Sequence, residues 1–474
     1  MSSFIKYEEH LCCPVCGSTH FVEGCDHRDM VNSHPFRPED AWKNEVITFR
    51  PALCENCGVA FNVRGMSNET RSGITANFNF IKPSSTGSSQ FQHYVDTVAG
   101  MCSSNQCKVL DIGGYDGYLL RELSRRGFKN LTLVDPSTVT DGMDESMLAI
   151  RVVTGYFPDA DPVWQARMNK CGKDTDATSA DAGNKSDAAA TSTATAGTSP
   201  AASGTSPAAS GTVPSAAGDE GTVEDHRLYD VVGCKDVLQM VPDPVSFMRG
   251  LNNVMVKGGR ALFISSPLHF MHAVQSLHLG ANAYHYIARM GGFTMDRCYM
   301  VKGNGYMAYE LTKAVDIIDD PEAAERFMST PQLSDEEFEA EQARNRELIK
   351  YNLHISQEAA HRFRHAVEYN HTRGREIVIY GTGFYSFSIL DSLGDDLSRY
   401  KFTMVNSTPE MDGLQFLRPD NKVERVYWAD TCLKDRHVPL LVLAIGSRKF
   451  YSEIIANLAR INCTFDEAIY LSPV

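Results

Sequence analysis

The sequence predicts an α/β protein in which two strand–glycine-turn–helix domains follow a small cysteine-rich module. Three observations carry this reading. Apolar runs end in glycine turns twice, at Lys108–Gly117 and again at Glu376–Gly383. Strand-like and helix-like stretches alternate after each turn, which is the pattern of doubly wound sheets. Two CxxCG knuckles, Cys13-Pro-Val-Cys16-Gly and Cys54-Glu-Asn-Cys57-Gly, precede the first turn. A chain of 474 residues is also too long for one ordinary core, so about two to four domains are expected.

Composition excludes several function classes. Apolar residues make up 43% and charged residues 22%, which rules out a wholly disordered chain. Lys and Arg total 45 against 59 Asp and Glu, a formal charge of −14, and no local basic stripe offsets it. Nucleic acid is therefore not an expected partner. The opening MSSFIKYEEHLCC lacks the apolar core of a secretory signal, and the apolar run Val438–Ile445 is far shorter than the ~20 residues of a membrane span. With thirteen cysteines, several in CxxC pairs, the expectation is a cytoplasmic chain that uses thiols for metal and has no membrane partner.

The boundaries follow from local composition. Residues 10–65 are rich in Cys, Gly and turns and read as a zinc-binding module. Residues 66–325 form the first α/β domain. Within it, residues 171–225 are almost entirely Ala, Ser, Thr, Gly, Asp and Pro, with TSPAASG repeated at Thr198–Gly204 and Thr205–Gly211. Such a stretch buries too little apolar area to offset its chain entropy, so a disordered insertion is expected. Residues 326–474 comprise a helical linker and a second Rossmann-like domain.

In each knuckle the two-residue gap lets both thiolates face one ion, and the following Gly permits the tight turn behind the sulfurs. Cys13, Cys16, Cys54 and Cys57 would fill a tetrahedral Zn2+ shell and leave no position for water, so the site is expected to be structural. Cys12, Cys25 and His27 are competing ligands if the register shifts by one.

The first glycine turn argues for a particular ligand. Lys108-Val-Leu-Asp-Ile-Gly-Gly-Tyr-Asp-Gly117 reads as a buried strand and a turn at Gly113, Gly114 and Gly117. Leu119, Leu120 and Leu123 then supply the inner face of a helix. The next strand ends at Asp135, about twenty residues on, where a carboxylate commonly grips a ribose diol. A pyrophosphate at this turn would be repelled by Asp111, whereas an ammonium or sulfonium would be attracted. S-adenosylmethionine (SAM) carries both cations and a ribose. Its adenine is expected near Tyr156 and Phe157, at the exit of a third strand. A fourth strand resumes at Tyr229, the turn Val241-Pro-Asp-Pro opens a helix, and a fifth strand follows Gly258-Gly.

This order resembles the class I SAM-dependent methyltransferases. More closely, it resembles the zinc-containing C-methyltransferases of nucleotide-linked deoxysugars, in which a CxxC…CxxC domain precedes the methyltransferase domain and a second Rossmann-like domain closes the chain. The motifs similar to that family are Asp111-Ile-Gly-Gly-Tyr-Asp-Gly117, the serine-rich link Asn77–Ser89, Tyr380-Gly-Thr-Gly383 and Val405–Gly413. The resemblance implies SAM and structural Zn2+ as cofactors and a nucleotide sugar as the small-molecule methyl acceptor. It also implies that the last domain helps hold the acceptor, through Gly381, Gly383 and Ser386. Departures are concentrated in the acid–base set: the family's Tyr-His-Glu-His stretch is replaced by Gln275-Ser-Leu-His278, a family histidine by Met240, and tyrosines of the link by Phe78 and Phe80.

Removing a proton beside a carbonyl needs a positioned base. Four of the fifteen histidines lie between His269 and His285. His278 is the expected general base, poised near neutrality and helped by His272 or Tyr284. At the second glycine turn no acid precedes Gly381, so phosphate is allowed, while Asn406 stands where an NAD enzyme would grip ribose with an acid. The sequence thus points to methyl transfer from SAM to a small molecule, first to a carbon of a nucleotide-linked sugar. An O- or N-acceptor, or a SAM-binding scaffold without turnover, are the alternatives.

Overall fold

The computed structural model describes residues 5–31, 35–43, 45–76, 89–136, 150–168, 228–301, 305–350, 355–445 and 448–471. The expected disordered insertion, the serine-rich link as far as residue 88 with Phe78 and Phe80, and residues 137–149 lie outside these residues. Three sheets account for the described chain.

The N-terminal sheet contains β1 (Tyr7–Glu9), β2 (Phe21–Glu23), β3 (His27–Met30), β4 (Val46–Cys54) and β5 (Ala60–Met66). Its order is β1-β5-β4-β2, and β3 also pairs with β4. The knuckles close as the glycines predict. The N–H of Gly17 donates to Cys13 O at 2.9 Å and that of Gly58 to Cys54 O at 3.1 Å. Both glycines are left-handed, at φ 74° and 72°. The sheet begins at Tyr7 and takes in a short later strand, so its limits are wider than 10–65.

The central domain follows α1 (Asn68–Ala76) and α2 (Ser89–Met101). It runs β6 (Lys108–Ile112), α3 (Tyr118–Arg125), β7 (Asn130–Asp135), β8 (Ile150–Thr154), β9 (Tyr229–Lys235), α4 (Pro244–Val254), β10 (Met255–Ser265), β11 (Leu277–His278), α5 (Ala281–Met290), β12 (Phe293–Met300) and β13 (Met307–Lys313). Seven strands form one sheet in the order β12-β13-β10-β9-β6-β7-β8. All are parallel except β13, which is antiparallel to both neighbours. The five predicted strands are present, and β12 and β13 complete the class I Rossmann-like sheet. All five residues of β6 are buried, and α3 packs through Leu119, Leu120 and Leu123. Helix α4 starts as its sequence dictates: Pro244 sits in the first turn and Asp243 caps it, accepting from Ser246 N–H. The exception among these strands is β11, which leaves the central sheet and pairs with β5, placing His278 opposite Ala60.

Helices α6 (Pro321–Ser329), α7 (Asp335–Lys350) and α8 (Gln357–His371) link to the last domain. There β14 (Ile377–Tyr380), α9 (Phe384–Asp391), β15 (Thr403–Asn406), β16 (Gln415–Leu417), β17 (Val423–Trp428), β18 (His437–Leu443), α10 (Arg448–Arg460) and β19 (Thr464–Tyr470) build a sheet in the order β16-β17-β15-β14-β18-β19. This is a Rossmann-like arrangement with an antiparallel edge. The N-terminal module touches both larger domains. Gln342 of α7 donates to Cys54 O at 3.0 Å. Arg28 of β3 reaches Asp391 at 2.6 Å and the Pro419 carbonyl at 2.7 Å.

Candidate active site and metal centre

The carboxyl ends of β6, β7 and β9 open onto a cavity of about 740 Å³, whose wall includes Asp111, Gly113, Gly114, Asp135, Tyr156 and Phe157. Six of the seven predicted cofactor residues are thus brought together. The seventh, Gly117, has φ 68° and turns the chain into α3 rather than lining the wall. A side chain at Gly114 would collide with Oδ2 of Asp111, so the carboxylate is tucked directly under the turn. Tyr94 of α2 donates to Asp111 Oδ1 at 2.9 Å, and Asp135 accepts from Tyr115 N–H at 3.0 Å.

Asp111 is fully buried, and that burial pushes its pKa up to about 7, aided by Asp135 and Asp116 and opposed by the Tyr94 hydrogen bond. Crowded carboxylates of this kind repel a pyrophosphate and stabilise a cation. The donor set fits SAM: an acid for the ammonium or sulfonium, a second for the ribose, and Tyr156 and Phe157 for an aromatic base.

The predicted acid–base residues are not brought together. His278 does not form part of the cavity wall. It is 2% exposed, with Nε2 2.9 Å from Asn62 Oδ1 and Nδ1 3.2 Å from Gln275 Oε1. Burial, with His27, His272 and Arg71 nearby, lowers its pKa to about 3. The expectation of a base near neutrality is corrected here: strand pairing of β11 with β5 carried the ring into the seam between domains. Tyr284 is likewise off the wall. Its ring stacks on Tyr309 at 3.6 Å, its hydroxyl donates to Ser265 Oγ at 3.3 Å, and burial raises its pKa.

His272 does line the cavity. Its Nδ1 lies 3.5 Å from Oδ2 of Asp29, a buried acid of β3 that also accepts from the N–H groups of Met30 and Ala273. Sequence reasoning missed Asp29, since nothing local links β3 to residue 272. It also missed Lys235 and Asp236, paired to each other on the wall, and the Gln239 and Gln275 amides. The position after Tyr229-Asp-Val-Val, at the end of a strand, was the available signal for Lys235 and Asp236. Met240 lies on the wall, so the departure from the family's histidine falls within the site.

A second hollow of about 250 Å³ lies over the last domain, lined by Gly381, Gly383, Asn406 and Tyr385 among others. Gly381 has φ 111°, and a Cβ there would meet the Ala444 carbonyl at 2.6 Å. Ser386 is corrected: it is fully buried and donates to Gly381 O at 2.8 Å, supporting the turn from behind instead of facing the hollow. Aromatic packing joins the linings of the two hollows. Phe384 lies 4.1 Å from the His272 ring and 5.1 Å from Phe270, and Tyr385 is 5.6 Å from Phe270.

The sulfurs of Cys13, Cys16, Cys54 and Cys57 all lie within 4.8 Å of one another, the one such cluster among the described residues. Cys13 and Cys57 are 3.7 Å apart and Cys16 and Cys54 3.5 Å, close to the about 3.8 Å separating sulfurs in a tetrahedral zinc shell. Four thiolates at such spacing repel, and the Cys57 thiol is held far above its usual range, first by Cys13. A divalent cation turns that crowding into attraction. The donors fit Zn2+. The rival ligands lie elsewhere, with Cys25 3.5 Å from His27 Nε2.

Residues 71–298 match the family model of a methyltransferase domain. No curated protein matches the chain significantly. Among solved structures it is similar to a calicheamicin-biosynthesis methyltransferase in its SAH-bound form, at 14% identity over 48% of this chain and 54% of that one, with a TM-score of 0.28. It is similar to magnesium protoporphyrin IX methyltransferase of Synechocystis PCC 6803 with bound SAH, at 14% identity over 48% and 84%, TM-score 0.28. It is also similar to mitomycin 7-O-methyltransferase, at 14% identity over 48% and 55%, TM-score 0.29. The chain spans about half the length of the first and third of these. Among the described residues no helix is long and apolar enough to cross a membrane.

Proposed function

We propose that the methyltransferase domain carried by residues 71–298 moves a methyl group from SAM to a small molecule held across the two hollows. The observation that carries this reading is the buried Asp111 carboxylate beneath the Gly113–Gly114 turn, with Asp135 beside it on the wall of a cavity of about 740 Å³. SAM, when bound, supplies an electrophilic methyl on a sulfonium. The chain's own residues then have two tasks, to align the acceptor and to take its proton. His272, braced by Asp29, is the proposed base. Cys13, Cys16, Cys54 and Cys57 hold Zn2+ as a structural ion, which ties the first knuckle to the turn between β4 and β5.

The acceptor class is read from the second hollow. Its glycine turn opens helix α9 without a preceding acid, which suits a phosphate-bearing handle. A nucleotide-linked sugar, with its handle at Gly381–Gly383 and its reacting end beside His272, fits both hollows. The position of His278 and Tyr284 away from the wall favours an oxygen or nitrogen acceptor over carbon, because enolate formation demands more base and more donors than the wall supplies.

Isothermal titration of the full chain with SAM, followed by mass analysis of small molecules methylated from labelled SAM, tests the reading. SAM binding at one site with a labelled product is expected. A chain that ignores SAM and binds a dinucleotide in the same cavity would falsify it.

A further inference from the structure

His278 is predicted from sequence as a base and found sealed in the seam, where its hydrogen bonds raise a question of their own. Both ring nitrogens face acceptors: Asn62 Oδ1 at 2.9 Å from Nε2, and Gln275 Oε1 at 3.2 Å from Nδ1. A ring that donates from both nitrogens is an imidazolium. This ring is 2% exposed, and the titratable groups felt around it, His27, His272 and Arg71, all disfavour a cation. One of the two amides must therefore present its NH2 to the ring. It is not Asn62, whose Nδ2 is committed to the Gln275 backbone carbonyl at 2.9 Å. Gln275 is under no such constraint. Its other side-chain contact is Ser266 Oγ at 2.9 Å, and a hydroxyl donates as readily as it accepts. Turning the Gln275 amide through a half-turn satisfies every member of the network.

Gln275 and Ser266 both line the cavity, and so does Gln239. The Gln239 amide is fixed in the matching sense, since its NH2 donates to Asp236 Oδ1 at 3.1 Å. Its Oε1 is buried and has no hydrogen-bond partner among the described residues. A buried acceptor left in this condition is destabilising unless a ligand or solvent donor reaches it.

We propose that His278 is a positioning residue: held as its Nε2–H tautomer by Asn62, it turns the Gln275 amide so that Oε1 receives the Ser266 hydroxyl. Ser266 Oγ, its proton spent on Gln275, is then left as an acceptor beside Gln239 Oε1, and this pair takes the methyl acceptor through its own O–H or N–H groups. The inference deepens the proposed function and rests on it for the identity of the cavity. It narrows the substrate class to acceptors that bear hydroxyl or amine groups.

Histidine-selective 15N spectroscopy of the full chain reads the ring directly. The resonance is assigned by its loss in His278→Asn or, if that variant fails to fold, by through-space contacts with Phe49, whose ring centroid is 6.0 Å away. The expected result is one protonated nitrogen, Nε2, with Nδ1 at the pyridine-like end of the range. Gln275→Glu, which removes the donor to Nδ1, is expected to shift Nδ1 to the pyrrole-like end as the ring takes up a proton. A wild-type ring protonated on both nitrogens or on Nδ1 alone, or a ring that Gln275→Glu leaves unchanged, overturns the proposal. A labelled product whose acceptor carries a hydroxyl or amine supports the acceptor wall, and one that carries neither overturns it. Failure to bind SAM counts against the proposed function alone, because the ring's protonation is measured without any ligand.

Discussion

Asp29 of β3 lies 3.5 Å from Nδ1 of His272 on the cavity wall, so a residue of the cysteine module braces a residue of the neighbouring domain. The acid also accepts the Ala273 N–H at 2.9 Å, tying down the loop that carries the ring. If His272 is the base, His272→Ala should lower methyl transfer by about 10²–10⁴-fold, and Asp29→Asn, which keeps the shape, by less. SAM affinity should change less than about twofold in both, since neither touches the glycine turn. Single-turnover assays beside SAM titrations separate these effects, and equal losses of binding and turnover would remove His272 from catalysis.

SAM affinity should depend on pH through Asp111. Its pKa, raised by burial to about 7, means that a proton competes with the incoming cation below that value. Affinity should fall by about tenfold per pH unit below 7 and level off above it. Asp111→Asn should weaken binding by about ten- to a hundredfold at pH 8 and flatten the pH profile. A steep profile surviving in that variant would place the titration elsewhere.

Tyr94→Phe gives the complementary measurement. The Tyr94 hydroxyl opposes the upward shift of Asp111, so its removal should move the midpoint of the SAM-binding profile above 7 while leaving the high-pH plateau within a fewfold of wild type. A midpoint that moves down would contradict the hydrogen bond's role.

Metal analysis should find about one zinc per chain, and Cys54→Ser should lose it. Because Gln342 holds the Cys54 carbonyl at 3.0 Å and β5 pairs with β11, the damage should spread beyond the knuckles. Thermal unfolding is expected to show destabilisation of several kcal/mol, with hydrogen exchange rising at residues 277–278 as well as 13–17. A Cys54→Ser chain with wild-type metal content would shift the site to other ligands.

Gly381→Ala should affect the second hollow alone. A Cβ at φ 111° meets the Ala444 carbonyl at 2.6 Å, so the turn must reshape. Acceptor KM is expected to rise about tenfold or more with SAM affinity unchanged. Weakened SAM binding would instead mean that the two hollows do not act independently.

Much of the geometry of the candidate site was legible because the relevant signals are local. The Asp111–Gly117 turn, the carboxylate closing β7 and the two knuckles are each fixed by neighbours within a few residues, and their geometry follows from backbone sterics and charge. His278 and Tyr284 were misplaced for the opposite reason. Both are polar residues in a histidine-rich stretch, and the periodicity of that stretch does not say whether it faces a cavity or a neighbouring sheet. Ser386 shows the same limit at smaller scale, since a hydroxyl after a glycine turn suits either a ligand or the turn's own carbonyl.

What the chain's order of residues determined by itself is the α/β class, the two strand–glycine-turn–helix units, the thiolate cluster and the acid beneath the first glycine turn, all set by short-range patterns of burial, sterics and charge. What only the tertiary structure decided is which side chains share the cavity. The pairing of β11 with β5, the approach of Asp29 to His272 and Ala273 and the convergence of Gln239, Gln275 and Ser266 join residues up to 244 positions apart. Such contacts arise from packing whole elements against one another, and no local spacing encodes the result.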